Sequence, residues 1–75
     1  MSTKEIFNKR FRVLVDRAVN CQKKSKRKQA REIGILPSTF FSYYDNRTMP
    51  GSEKITKIAY YYGVTTDYLL GLEVE

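Results

Sequence analysis

A chain of 75 residues has to hold its fold together with a small core, because short chains bury a smaller share of their surface on folding than long ones. Domains of this size are often reinforced by disulfides or zinc, but this sequence has one cysteine, Cys21, and no histidine. An internal disulfide is therefore impossible, and the usual nitrogen and sulfur ligands of structural zinc are missing. Hydrophobic residues make up 41% of the chain, so we expect one folded domain, residues 1–75, stabilised by compact helix packing.

The same composition argues against an enzyme. Without histidine there is no histidine base, no Cys–His pair and no Ser–His–Asp triad. The acidic residues are scattered along the chain, and no glycine-rich phosphate loop is present. We expect no catalytic activity, no cofactor, no metal site and no small-molecule ligand.

The longest apolar stretch lies near residues 68–70, which is far below the ~20 residues that a membrane-spanning helix needs. The N-terminal residues are polar, which is unlike a secretory signal. A single free thiol is easiest to keep in a reducing compartment. We therefore expect no membrane association and a cytoplasmic location, in the bacterial cytosol or nucleoid.

The net charge of +6 is unevenly distributed along the chain. Residues 1–31 contain eleven lysines and arginines against two acids, a net charge of +9, whereas residues 32–75 contain three against six, a net charge of −3. A strongly basic segment is suited to a polyanion such as a nucleic acid. A basic stretch can also serve only to keep a protein in solution, so the charge alone leaves both explanations open.

Apolar residues recur at three- and four-residue steps in five segments that are separated by turn-forming residues, which predicts an all-α fold of five helices. The predicted helices are residues 5–18, 25–33, 37–45, 52–62 and 66–70. The polar residues 20–24 form a connection that can include one more helical turn. In the first segment the recurring residues are Ile6, Phe7, Arg10, Phe11, Leu14, Val15 and Ala18, opposite a polar face of Asn8, Lys9, Arg12 and Asp16. The other residues expected to face the core are Ala30, Ile33, Phe40, Tyr43, Tyr44, Ile55, Ile58, Ala59, Tyr62 and Leu69.

The predicted helix ends follow from local chemistry. Ser25 is suited to cap the second helix, and Pro37 is suited to the first position of the third. Asn46 can adopt the left-handed conformation that ends a helix, and Thr66 is the expected cap of the last one.

The second and third segments are joined by only three residues, 34–36, and two short helices with a tight glycine-containing turn are typical of a helix-turn-helix. Ala30 is small enough to let the two helices approach, Gly34 permits the turn, and Ile35 can fill the angle between them. Such an arrangement directs the second helix of the pair into a DNA major groove. Many other helical hairpins share this pattern.

The charges near Ser25 support a DNA-binding interpretation. If Ser25 is the cap, Lys26, Arg27 and Lys28 occupy the first turn, where each exposed cation is unfavourable by roughly 0.3–1 kcal/mol because the helix dipole is positive there. An external phosphate would compensate for this cost. The alternative is that the cap lies elsewhere and the three cations are ordinary solvated side chains.

Residues 26–71 resemble the lambda-repressor-like, or Cro-type, helix-turn-helix domains of phage and bacterial regulators. The residues that carry the resemblance are Ala30 and residues 33–35, 37–40, 46–47, 49–50, 57–59 and 63–71. The block Val-Thr-Thr-Asp-Tyr-Leu-Leu-Gly, residues 64–71, is its most specific part, and Phe7, Phe11 and Leu14 fit the first helix of the family. The resemblance implies a five-helix domain whose third helix reads base edges, and a dimer that binds a palindromic operator.

The sequence also departs from the family pattern at several positions. Gln29 stands where leucine is usual, Ser52 replaces a common aliphatic residue, and Leu36 replaces a small polar cap. Asp45 replaces a common asparagine near the phosphates. The connection before Ser25 is about four residues longer than usual, which is roughly one helical turn.

The candidate site residues fall into three groups. The expected base-reading residues are Pro37, Ser38, Thr39, Phe41 and Ser42. The expected phosphate contacts are Ser25, Lys26, Arg27, Lys28 and Arg47, with Lys23 and Lys24 further out. A dimer interface is predicted from Tyr60, Tyr61, Leu70, Leu72 and Val74, and the alternative, which is the commoner case, is that exposed tyrosines here are scattered surface residues.

Phe41 has two interpretations. Exposed on the outer side of the third helix, it could contact a thymine methyl group, and otherwise it is a core or partner-facing aromatic residue.

The resulting hypothesis is a repressor that binds double-stranded DNA as a homodimer. The alternative is a helical protein-interaction module whose basic end docks an acidic partner protein. RNA is a less suitable partner, because the aromatic residues follow helical core spacing.

Overall fold

The computed structural model describes residues 2–72, and all regular structure within them is helical. The five α-helices are α1 (Thr3–Gln22), α2 (Lys26–Ile33), α3 (Pro37–Tyr44), α4 (Ser52–Tyr62) and α5 (Thr66–Leu70). The Cα radius of gyration is 11.3 Å, which is what a compact chain of this length should have. The predicted all-α class is therefore confirmed, and α2 to α5 lie where the sequence pattern places them.

Aromatic side chains from several helices meet in the core. The ring of Phe11, which is fully buried, lies 5.2 Å from the ring of Phe40 on α3 and 6.2 Å from that of Tyr62 on α4. Phe7 stacks on Phe11 within α1 at 5.3 Å. The rings of Phe40 and Tyr62 meet Phe11 edge-to-face, and such pairs have a preferred geometry in addition to the apolar surface that they bury. Phe11 of the long first helix thus contacts rings from both α3 and α4.

Helix α1 is longer than the predicted 5–18. It begins at Thr3, where the Ser2 hydroxyl caps it by accepting the Glu5 N–H at 3.2 Å. It continues through Gln22 and ends at Lys23, whose backbone is left-handed at φ 57°. The four extra residues before Ser25 are therefore largely a further turn of helix. Periodicity did not reveal this turn because its side chains are polar and mostly exposed.

Helices α2 and α3 are connected by residues 34–36, as predicted. Gly34 has φ 93° and donates its N–H to the carbonyl of Ala30 at 3.0 Å, and Ile35 donates to the same carbonyl at 3.0 Å. An L side chain rarely adopts such a φ, so the turn requires glycine for its backbone conformation. Ile35 is buried in the core, and Pro37 is the first residue of α3.

One predicted helix end is confirmed, and the predicted cap of α5 is displaced by one residue. Asn46 is left-handed at φ 62°, as expected, directly after the end of α3. The cap of α5 is Thr65 and not the predicted Thr66. Thr65 has an extended backbone, and its hydroxyl accepts the Tyr68 N–H at 3.0 Å, whereas Thr66 is already helical. The error is one residue, within a Thr-Thr pair in which either hydroxyl is chemically suited to the role.

Helix α5 closes the fold against the start of α1. Leu69 is fully buried, and Arg10 donates a hydrogen bond to the carbonyl of Tyr68 while its guanidinium lies 4.5 Å from the Tyr68 ring. Gly71 has φ 80°, and a Cβ at this position would lie 2.8 Å from Cγ2 of Ile6. Glycine is therefore needed here both for its backbone conformation and for the close approach of Ile6.

Two tyrosines that were expected to face the core are only partly buried. Tyr44 donates its hydroxyl hydrogen to Asp16 at 2.7 Å, and Tyr62 donates to Gln29 at 2.6 Å. Each ring packs against the core while its polar end reaches a partner at the edge, which is the common arrangement for buried tyrosine.

Within residues 2–72, no helix combines the length and apolar character that crossing a bilayer requires.

Candidate nucleic-acid interface

Ser25 caps helix α2, as the sequence predicted. Its backbone is extended, and its hydroxyl accepts the Lys28 N–H at 3.1 Å. The alternative that the cap lies elsewhere is therefore wrong. Lys26, Arg27 and Lys28 occupy the first turn, which contains no acidic residue.

The first turn of α2 is accessible to a partner. Ser25, Arg27 and Lys28 are exposed, and Lys26 is partly buried. No ion pair within residues 2–72 involves any of the three cations. Because the backbone N–H groups at this end also carry partial positive charge, the surface is strongly suited to an anion.

Lys26 lies against Tyr44 at the end of α3. Its ammonium nitrogen is 3.9 Å from the centre of the Tyr44 ring, and the Arg12 guanidinium of α1 is 4.6 Å from the same ring. This cluster connects the start of α2 with the end of α3. Sequence reasoning did not find it, because it joins residues from three helices that are far apart in the chain.

Asn8 fixes the end of α3 to α1. Its side-chain amide donates to the backbone carbonyls of Tyr43 and Tyr44, both at 2.8 Å. Carbonyls in the last turn of a helix have no partner within the helix, so Asn8 supplies a donor to the Tyr44 carbonyl, whereas the Tyr43 carbonyl also accepts the Asn46 N–H at 3.3 Å. Asn8 was assigned to the polar face of α1, and nothing in the local sequence indicates its contact with residues more than thirty positions away.

The outer side of α3 is open. Ser38 is exposed, and Thr39 and Ser42 are partly exposed. Pro37 is also partly exposed, at the first position of the helix. The hydroxyl groups that were predicted to read bases are therefore not enclosed by the rest of the molecule.

Two apolar residues flank this open side. Phe41 is partly buried, and its ring lies edge-on to Phe40 with centroids 6.0 Å apart, so it is neither a core residue nor a fully exposed one. Leu36, just before the helix, is 69% exposed. Leu36 was noted only as an unusual cap, and its side chain makes no cap hydrogen bond.

Arg47 lies beyond the opposite end of α3. Its side chain is exposed, and its backbone N–H donates to the carbonyl of Ser42 at 2.9 Å. The N–H of Thr48 points to the same carbonyl at 3.4 Å. These bonds hold the first part of the loop after α3 against the helix end, so Arg47 extends from a fixed backbone.

Gln29 is fully buried and explains one departure from the family pattern. Its amide nitrogen donates to the carbonyls of Lys24 at 3.1 Å and Val15 at 3.4 Å, and its oxygen accepts from Tyr62. A buried amide is acceptable when its donors and acceptor are paired. Burial also raises the pKa of the Tyr62 hydroxyl, which therefore remains a donor. Gln29 thus links α2 to both α1 and α4.

Lys24 differs from the other lysines of this region. It forms an ion pair with Glu32 at 3.1 Å, and Tyr61 donates a hydrogen bond to the same carboxylate. The hydrogen bond from Tyr61, followed by that from Lys24, lowers the pKa of Glu32, and the bond to Glu32 raises the pKa of Lys24. Lys24, predicted as an outer phosphate contact, thus already has an anionic partner within the chain.

The residues predicted for a dimer interface are in different environments. Tyr60 is 89% exposed and Leu72 is 74% exposed. Tyr61 and Leu70 are partly buried against the core. Val74 lies outside the described residues. An exposed tyrosine and leucine are available for a partner, whereas the other two described residues also serve the fold of the single chain.

Among residues 2–72 there is no group of three or more metal-ligating side chains, and Cys21 is an exposed free thiol. No protein-family model matches this chain, and neither the curated proteins nor the solved structures give a match.

Proposed function

We propose that this chain binds duplex DNA as a transcriptional regulator and that it is a lambda-repressor-like domain whose helix-turn-helix is α2, residues 34–36 and α3. In this proposal α3 enters the major groove, and the start of α2 and Arg47 contact backbone phosphates on either side of it. The protein acts by occupying an operator, without catalysis.

The observation that carries the proposal is the first turn of α2. Ser25 caps the helix, so Lys26, Arg27 and Lys28 all lie at the positive end of its dipole. At roughly 0.3–1 kcal/mol for each exposed cation, this arrangement costs the isolated domain stability. A backbone phosphate would turn the same three charges into favourable contacts, together with the free N–H groups of the turn.

The outer side of α3 supplies the chemistry for reading bases. Ser38, Thr39 and Ser42 are short hydroxyl side chains on accessible positions, so they let a helix approach base edges closely and can donate or accept hydrogen bonds. Phe41 and Pro37 add partly exposed apolar surface, which suits the methyl group of thymine.

Homodimer formation on a palindromic operator is part of the proposal. Tyr60 and Leu72 are large apolar side chains that are exposed in the single chain, so a second copy can cover them. Two identical domains would place their α3 helices one DNA turn apart, about 34–36 Å.

Selection of binding sites from random duplex DNA tests the proposal. We expect the full chain to enrich a palindrome whose half-sites are about one helical turn apart. Absence of any duplex binding at low salt would refute the proposal. Enrichment of single half-sites would support base reading by α3 and would refute homodimer formation on the operator.

The substitution Ser38→Ala distinguishes this function from docking of an acidic protein. If Ser38 reads a base, the variant changes the preferred base at one position of each half-site, with a discrimination change of about 1–3 kcal/mol at most. The matched control is Ser52→Ala, which removes an exposed serine from the start of α4. An identical selected sequence for both variants would show that Ser38 reads no base, and the lack of any sequence preference in the unchanged protein would favour the protein-docking alternative.

A further inference from the structure

The Tyr44 ring brings together two cations that have no anionic partner. The Lys26 ammonium and the Arg12 guanidinium lie 3.9 Å and 4.6 Å from its centre. Neither forms an ion pair or a hydrogen bond through its charged group within residues 2–72. Two cations at one ring without a counter-ion favour anions beside that ring.

The nearest acid in the cluster, Asp16, does not fulfil that role. One of its oxygens accepts the Tyr44 hydroxyl at 2.7 Å, and it forms no ion pair within 4.0 Å of either cation. The hydrogen bond instead fixes the Tyr44 ring, and the ring in turn contacts the charged ends of Arg12 and Lys26. Asp16 therefore orients the cluster without neutralising it.

The position of the cluster indicates what the anion is. It adjoins the first turn of α2, whose other cations face solvent, and the end of α3, which is followed by Arg47. A guanidinium on a ring face keeps its N–H edge free for the paired oxygens of a phosphate. Arg12 therefore extends the basic surface from α2 onto α1, beyond the residues that the sequence predicted as phosphate contacts.

We infer that Arg12 contacts a DNA backbone phosphate beside the one held by Lys26, so that α1 is part of the nucleic-acid interface. This inference rests on the proposed DNA-binding function. It assigns a phosphate contact to a residue that sequence analysis placed only on the polar face of the first helix.

The salt dependence of binding to a mixed-sequence duplex of about three helical turns tests this contact. Each phosphate contact contributes about 0.9 to the slope of log affinity against log salt. We expect Arg12→Ala to reduce the slope by about 0.9 and Arg12→Lys to retain it. The control is Arg17→Ala, which removes the same charge from an exposed position on the same helix.

The outcomes separate the inference from the proposed function. If the unchanged protein binds the duplex but Arg12→Ala and Arg17→Ala have equal slopes, Arg12 makes no phosphate contact, although DNA binding stands. If the unchanged protein fails to bind the duplex at low salt, the proposed function is itself wrong. A slope reduced equally in Arg12→Lys, which keeps the charge, would show that the charge at this position does not set the slope, and would overturn the contact.

Discussion

Helices α2 and α4 pack against each other, yet they begin in opposite ways. α4 has Glu53 in its first turn, which suits the helix dipole, and Lys57 one turn later lies 3.8 Å from that carboxylate. α2 has three cations in its first turn and no acid. The inward face of α4 buries only apolar residues, whereas α2 also buries Gln29.

The two departures of α2 have different explanations. The buried amide of Gln29 is satisfied within the chain, by a hydroxyl that α4 itself provides through Tyr62. The three cations have no ion-pair partner within residues 2–72. α4 therefore follows the rules for a stable isolated domain, while the start of α2 makes physical sense when an anion is added from outside.

The largest expected effect is on DNA binding by the cations at the start of α2, compared with those of α4. We expect Lys26→Ala combined with Arg27→Ala to weaken binding to all duplex sequences and to reduce the salt slope by about 1.8, at about 0.9 for each phosphate contact. The matched control is Lys54→Ala combined with Lys57→Ala, which removes two charges from α4. Affinity measured over a series of salt concentrations checks this. Equal slopes for the two double variants would mean that the overall charge attracts DNA and that α2 has no special role.

A smaller effect is expected from the amide in the core. Gln29→Leu leaves the Tyr62 hydroxyl without its acceptor, so we expect the free energy of unfolding to fall by about 1–3 kcal/mol. Adding Tyr62→Phe removes the unpaired hydroxyl and should recover part of the loss, whereas the Lys24 and Val15 carbonyls still lack the Gln29 donor. Urea denaturation of the two variants measures this. An unchanged free energy of unfolding for Gln29→Leu would show that the hydrogen bond between Tyr62 of α4 and Gln29 of α2 does not stabilise the fold.

The smallest effect is on the pKa of Glu32 in α2, whose carboxylate accepts a hydrogen bond from Tyr61 in α4. Tyr61→Phe removes the hydrogen bond that contributes most to lowering the pKa of Glu32, so this pKa should rise toward its ordinary value. A carboxyl group with a lowered pKa stabilises the fold above its unfolded pKa, near 4.3, and this contribution disappears as pH falls through the folded value. NMR titration of the Glu32 carboxyl group checks this, with Tyr60→Phe as the control because Tyr60 is exposed. The same Glu32 titration in both variants would contradict the role of Tyr61.

Much of the fold could be predicted because its determinants are local. Ser25, Gly34, Pro37, Asn46 and Gly63 each act on a helix end next to themselves, and the apolar spacing of α3 and α4 is unambiguous. The added turn of α1 could not be predicted with the same certainty. The side chains of this turn show no apolar periodicity. The helix ends at Lys23, whose backbone is left-handed, although lysine has no preference for that conformation.

The candidate site divides in the same way. The capped first turn of α2 and the open outer side of α3 follow from residues next to each other in the sequence. The contacts that connect these elements do not, because Arg12, Lys26 and Tyr44 meet only after three helices have packed. The partner of Gln29 is likewise thirty-three residues away. Side-chain pairing between distant segments is fixed by packing geometry, which a single sequence does not display.

The tight fit between Gly71 and Ile6 has a consequence for how the domain opens. The inner face of the first helix is covered only when Leu69 and Gly71 lie against it. These contacting segments are more than sixty positions apart in the sequence, so the contact closes a long loop of chain. Detachment of α5 therefore uncovers the start of α1 in the same event, and amide hydrogens in the two segments should exchange together.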